Sequence, residues 1–171
     1  MIRKPKLIPV KVPWEICPST PHLQLSVAET EEPTRVWAYV NFPKKEMIRI
    51  VMSFGRSLYA HFAHSWSDSE VVREDHYDWS AVPDLDLDNL ESSQKEFWAN
   101  WEKLGVCPDP NMYKVVGSLW LSEVENNRPL QHFLVLGHDA YVEVLAEDWS
   151  WEVISEVHVS SLKDLSITDD P

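Results

Sequence analysis

Glycine and cysteine are scarce here: four glycines and two cysteines in 171 residues. So few glycines leave little material for a loop that cradles phosphate on its backbone. Turns must instead lean on Pro, Asn, Asp and Ser. Cys17 and Cys107 lie far apart with no metal-ligand spacing, so two reduced, buried thiols are expected. No segment approaches the roughly 18 apolar residues of a membrane span. The basic stretch from Met1 to Lys11 has no apolar run of signal-peptide length. A cytoplasmic protein without membrane contact is the expectation. Missing too are GxGxxG, the P-loop, HExxH, paired CxxC and the GxSxG elbow. No cofactor is called for and no metal is assigned. Asp84, Asp86 and Asp88 alternate as at the start of a calcium loop, but the required glycine and terminal glutamate are absent.

Positive charge is the other scarcity, and it is uneven. Residues 1–60 carry nine Lys and Arg against five Asp and Glu; residues 61–171 carry six against twenty-three, for a net charge of −13. That balance disfavours direct nucleic-acid binding, which places Lys and Arg on phosphates. It equally disfavours an anionic membrane surface. It suits a basic protein partner, because opposite fields speed encounter and reject wrong partners. The same charge also serves plain solubility.

What is present is ordinary globular material with an aromatic excess. The chain is 44% hydrophobic and 25% charged, with nine Trp. This is enough for one folded domain over residues 1–171 with a sizeable core. Five prolines punctuate residues 1–21, too many for a helix or central strand, so an extended lead-in packed on the domain is expected. Residues 167–171 read as a disordered tail.

Between these ends the dominant period is two. Val36–Phe42, Met47–Phe54, Ser57–Trp66 and Val71–Trp79 alternate as strands, joined by short turns that include Gly55-Arg56 as a two-residue hairpin. Tyr113–Val124 reads as a long strand that bends at Gly117. Leu130–Leu136 is nearly continuous in apolar residues, as in a central buried strand, and Ala140–Ala146 pairs back on it. Trp149–Ile154 reads as a last strand, and Val153, Val157, Leu162 and Leu165 equally fit a short C-terminal helix. One helix is well marked near 90–104: Phe97, Trp98, Trp101 and Leu104 fall on one side, and Gly105, Pro108 and Pro110 end it. The fold class is α+β: a mostly antiparallel meander of about seven to nine strands with this amphipathic helix packed against it. Curling into a partial barrel is an open alternative.

Candidate sites are of two kinds. Trp149 and Trp151 share a strand face, and with Glu143, Glu147 and Asp148 they make an aromatic, acidic surface fit to anchor a partner. The other kind is histidine-based. A tight turn after Trp66 brings His61 near Asp75 or His76, so His61, His76 and Asp78 form one cluster with ligand types that zinc accepts. His132 and His138-Asp139 form a second, in which a His oriented by Asp is the skeleton of a general base. Cross-strand hydrogen bonds and turn formation are the plainer uses of both. The functional expectation is a non-catalytic binding module, most concretely a small acidic inhibitor or immunity-type protein that blocks a basic partner such as a nuclease toxin. The alternative is a ligand- or metal-binding, barrel-like enzyme built on a His/Asp cluster. A homo-oligomer is compatible with either.

Overall fold

The computed structural model describes residues 4–16, 23–28, 32–42, 47–64, 77–80, 86–104, 111–124, 127–137 and 140–156. Among these residues ten strands and two α-helices follow in order: β1 (Lys6–Pro9), β2 (Glu15–Ile16), β3 (Gln24–Ser26), β4 (Thr34–Asn41), β5 (Met47–Gly55), β6 (Tyr59–His64), α1 (Leu90–Leu104), β7 (Met112–Val116), α2 (Leu119–Glu123), β8 (Gln131–Leu136), β9 (Ala140–Ala146) and β10 (Asp148–Glu156). A 3-10 turn, Leu87–Asn89, leads into α1.

The strands form two antiparallel sheets that do not close into a barrel. The first runs β1-β7-β8-β9-β6; the second runs β10-β5-β4-β2, with β3 also paired to β4. Period-two alternation explains how they meet. On the second sheet Val36, Ala38, Val40, Ile50, Met52 and Phe54 turn inward; on the first, Met112, Phe133, Val135, Val142, Val144 and Ala146 turn to face them. Phe54 and Phe133 touch across the gap with ring centroids 5.4 Å apart. Each such side chain contributes about 1.5–3 kcal/mol by leaving water, so this shared layer is the main source of stability.

The continuous apolar run of β8 has a specific cause. β8 is the middle strand of its sheet. Phe133 and Val135 feed the layer between the sheets, while Leu134 and Leu136 join a smaller outer cluster with Leu7, Tyr77, Tyr113 and Tyr141. Both faces are covered, so neither needs polar residues.

Several expectations are corrected. The Gly55-Arg56 step is not a hairpin: β5 pairs β4 and β10, while β6 pairs β9 in the other sheet. Here the chain passes between sheets. Gly55 lies opposite Asp148, where a Cβ would sit 2.1 Å from the Asp148 Oδ1, and Arg56 takes a left-handed φ of 45°. Leu58 N–H then bonds Leu145 C=O at 2.8 Å and starts the new pairing. The returning passage, β9 to β10, lies alongside, because Glu147 N–H donates to Gly55 C=O at 3.2 Å. With ten strands in two open sheets, the smaller single meander and its curled form are both replaced. The long strand expected over Tyr113–Val124 stops at Val116, because Gly117 adopts φ 76° and Ser118 caps α2. The Pro-rich lead-in supplies edge strands to both sheets, β1 beside β7 and β2 beside β4.

Helix α1 carries much of its described surface to solvent. Of its described side chains only Ser93 is buried; Leu90, Trp98 and Leu104 are exposed.

Candidate functional site

Three features of this frame bear on function: a buried polar network, a cleft at the sheet crossover, and the acidic helix.

The network sits on the outer face of the first sheet and centres on Glu143. Register places Glu143 opposite His61 on β6 and opposite Leu134 on β8, so His132 is its diagonal neighbour on the same face. The Tyr77 hydroxyl donates to Glu143 Oε1. His61 Nδ1 is 3.2 Å from Oε2, and His132 Nε2 is 3.4 Å from Oε1, without hydrogen-bond alignment. On the other side of the His132 ring, Ser118 Oγ lies 2.8 Å from Nδ1. Ser118 Oγ also accepts from Leu121 N–H at 3.1 Å, as the cap of α2. Ser118 Oγ thus sits between Leu121 N–H and the His132 ring and ties the start of α2 to β8.

Burial raises the affinity of Glu143 for a proton. The adjacent His132 ring, with the hydrogen bonds from Tyr77 and His61, outweighs it and holds the carboxyl at about 2. Burial, then the charge of Glu143, push the Tyr77 phenol far above its usual range. Aromatic rings wall the site: Trp120 packs on His132 at 5.5 Å and on Tyr59 at 5.7 Å, while Tyr77 meets His132 at 6.4 Å.

Ser118, His132 and Glu143 follow the order of an acyl-transfer relay. Their surroundings also hold elements of the fold together. Ser118 and His132 are both buried, and the serine hydroxyl is committed to capping α2. The network pins two things to the sheet: α2 through Ser118, and the segment 77–80 through Tyr77. The segment is held further by Asp78 N–H bonded to Pro5 C=O at 2.8 Å. Among the described residues no group of three or more His, Cys, Asp or Glu side chains is arranged to hold a metal ion.

The structure thus redistributes the residues singled out in the sequence. His61, His132 and Glu143 come together, although the sequence suggests separate clusters for the two histidines and a β10 surface for Glu143. Asp78 is on the neighbouring segment, accepting from Ser80 Oγ at 2.5 Å, and Tyr77 rather than Asp78 reaches Glu143. His76 and His138 lie outside the described residues. Trp149 and Trp151 do share a face, but it is the inner one: Trp149 packs on Phe133 at 6.4 Å and Trp151 on Trp14 at 6.0 Å. Asp148 is exposed, and Glu147 is bound by two arginines. Sequence reasoning missed Tyr77, Arg56 and Arg128. The signal for the network was Glu143 itself, a single charge inside the apolar strand AYVEVLA, which needs partners wherever it is covered.

The cleft lies where the chain passes between sheets. It encloses about 710 Å³ and is lined by Arg56, Arg128, Thr34, Ser57, Leu58 and Tyr59, among others. Glu147 receives Arg128 Nε at 2.6 Å and Arg56 Nη1 at 3.2 Å, which holds its carboxyl below the usual range, Arg128 contributing most. Arg128 Nη2 also donates to the Arg56 carbonyl.

The third feature is the stretch from Asp86 through α1. Leu87 is 84% exposed and Trp98 51%, and Leu90 and Leu104 are also exposed. Around them stand Asp86, Asp88, Glu91, Glu96 and Glu102, with Lys95 and Lys103 the only described bases on this stretch.

No protein-family model matches the chain, and searches of curated proteins and of solved structures find no match.

Proposed function

We propose that this chain is a non-catalytic binding module that docks a basic protein partner through the face of α1 and its leading turn. In its most concrete form it is a small acidic inhibitor of the immunity type, occluding the working surface of a basic protein such as a nuclease toxin. One observation carries this reading: the exposed side chains Leu87, Leu90, Trp98 and Leu104 stand among five carboxylates on α1 and its leading turn. Exposed large apolar side chains rimmed by charge mark interaction surfaces. A Trp is the side chain most often found as an interface anchor. The surrounding charge states the partner's chemistry, a surface of Lys and Arg around an apolar pocket.

The contact is placed on α1 rather than β10 because Trp149 and Trp151 turn inward, Glu143 serves the buried network, and Glu147 is held by Arg56 and Arg128. The buried state of Ser118 and His132 favours binding over catalysis. No helix among the described residues is long and apolar enough to cross a membrane.

The test is capture of partners on the tagged chain at low and high salt, with Trp98→Ala in parallel. One basic protein should be retained near equal amounts at low salt, released by high salt, and lost with the variant. Retention that ignores both salt and Trp98 would refute the proposal.

A further inference from the structure

We propose that the cleft between the two crossovers is a second binding site, specific for a small organic anion: an oxyanion head on an apolar body. It is separate from the α1 face and stands whether or not that face binds a protein.

The argument begins with charge. In a chain of net charge −13, two guanidiniums line this cleft, Arg56 and Arg128, and both reach the same carboxylate, Glu147. The acid on the cleft lining itself, Glu32, lies 3.7 Å from a third guanidinium, Arg35. A clamp between the two crossovers needs only one arginine on Glu147, and Arg128 already fills that role with its bonds to Glu147 and to the Arg56 carbonyl. The Arg56 side chain is 77% exposed beside it, with one nitrogen on Glu147 and a planar guanidinium open to solvent. Such a fork pairs with carboxylate or phosphate oxygens.

The backbone supplies an independent observation. Arg56 is the only described non-glycine residue with positive φ, at 45°. Non-glycine side chains rarely take this conformation, and strained positions cluster at ligand-binding sites. Glycine would be the unstrained choice here, yet the chain carries an arginine that lines the cleft.

Shape and lining supply the rest. A volume of about 710 Å³ falls in the range of small-molecule sites. Val27, Leu58 and Tyr59 line it and are exposed, which provides apolar surface for a ligand body. Ser57, whose hydroxyl lies 2.5 Å from that of the buried Thr34, adds a polar group able to orient it. The site therefore selects a head–body molecule, binding the two halves together better than either alone.

NMR titration of the full chain with 2-naphthoate and 2-naphthyl phosphate tests this, with 2-naphthamide as the neutral body and inorganic phosphate as the bare head. At least one of the two anions should saturate, with shifts at residues 56–60; which one does identifies the head group. The amide and the bare phosphate should bind about 10-fold more weakly or not at all. Arg56→Gly removes the guanidinium while suiting the local φ, so the fold is kept, and it should weaken anion binding about 10-fold. Failure of both anions to saturate, equal binding of the amide, or unchanged affinity in Arg56→Gly would each overturn the proposal.

Discussion

Replacing Glu143 by Gln removes the charge around which the outer network is built, and its cost can be worked from the structure. The carboxyl is held at about 2 against an ordinary 4.5. Each tenfold change in proton affinity is worth about 1.4 kcal/mol, so the ionised form contributes roughly 3 kcal/mol to folding at neutral pH. The side chain is only 16% exposed, so solvent screening removes little of this. Because the folded value is depressed, the contribution is complete above the unfolded value of about 4.5 and fades as pH falls towards 2. Glu143→Gln should therefore lower stability by about 3 kcal/mol at pH 7, a drop in Tm of roughly 6–12 °C for a chain of this size. The gap between variant and parent should shrink steadily from about pH 4.5 to about pH 3. Paired urea denaturation curves across that range measure it, and taking the difference cancels the other carboxylates. A variant as stable as the parent at pH 7, or a gap that does not close in acid, would refute the reasoning.

Three further perturbations probe the frame. Phe133→Ala empties the layer where Phe54, Phe133 and Trp149 meet, and should cost about 3–5 kcal/mol in denaturant unfolding; a cost under about 1 kcal/mol would mean the sheets are not packed there. Gly117→Ala meets no neighbour within 4 Å but must hold φ 76°, so it should cost about 1 kcal/mol through strain alone, with Gly117→Asn costing less. Ser118→Ala removes the cap of α2 and the partner of His132 Nδ1; it should cost about 1–2 kcal/mol and raise amide exchange first across 119–123.

Much of the strand content was legible because alternation is a local property. Val36, Ala38 and Val40 in β4, and the apolar run of β8 with its return in β9, read directly from the chain. The helix at 90–104 was equally clear from its spacing and its stop residues. Pairing was less legible. Gly55-Arg56 has the composition of a hairpin turn, and nothing nearby distinguishes that from a passage between sheets. The deciding contact, Asp148 opposite Gly55, lies 93 positions further on. Local reading sets His61 against the strand after it for the same reason, although its partner Glu143 is 82 residues away. The aromatic residues misled through their amphipathic character. Trp149 and Trp151 alternate with acidic neighbours as an exposed strand would, yet Trp14, Phe42 and Phe133 cover them from the inner side. Of the candidate site, the excess of acid beyond residue 60 was visible in advance. That Leu90, Trp98 and Leu104 are exposed was not, since periodicity does not say what an amphipathic face packs against.

The most direct measurement is the salt and Trp98 dependence of one binding event. The basic protein retained by the chain at low salt is purified and titrated against parent and Trp98→Ala at low and high ionic strength. Trp98 packs on Phe97 with ring centroids 5.9 Å apart, so denaturant unfolding of the variant is measured alongside and both chains are titrated where they are fully folded. The binding proposal predicts an affinity that falls steeply with salt and that drops at least about 30-fold in the variant, the loss of an interface anchor worth about 2 kcal/mol. An affinity indifferent to salt, or unchanged by Trp98→Ala, would contradict it.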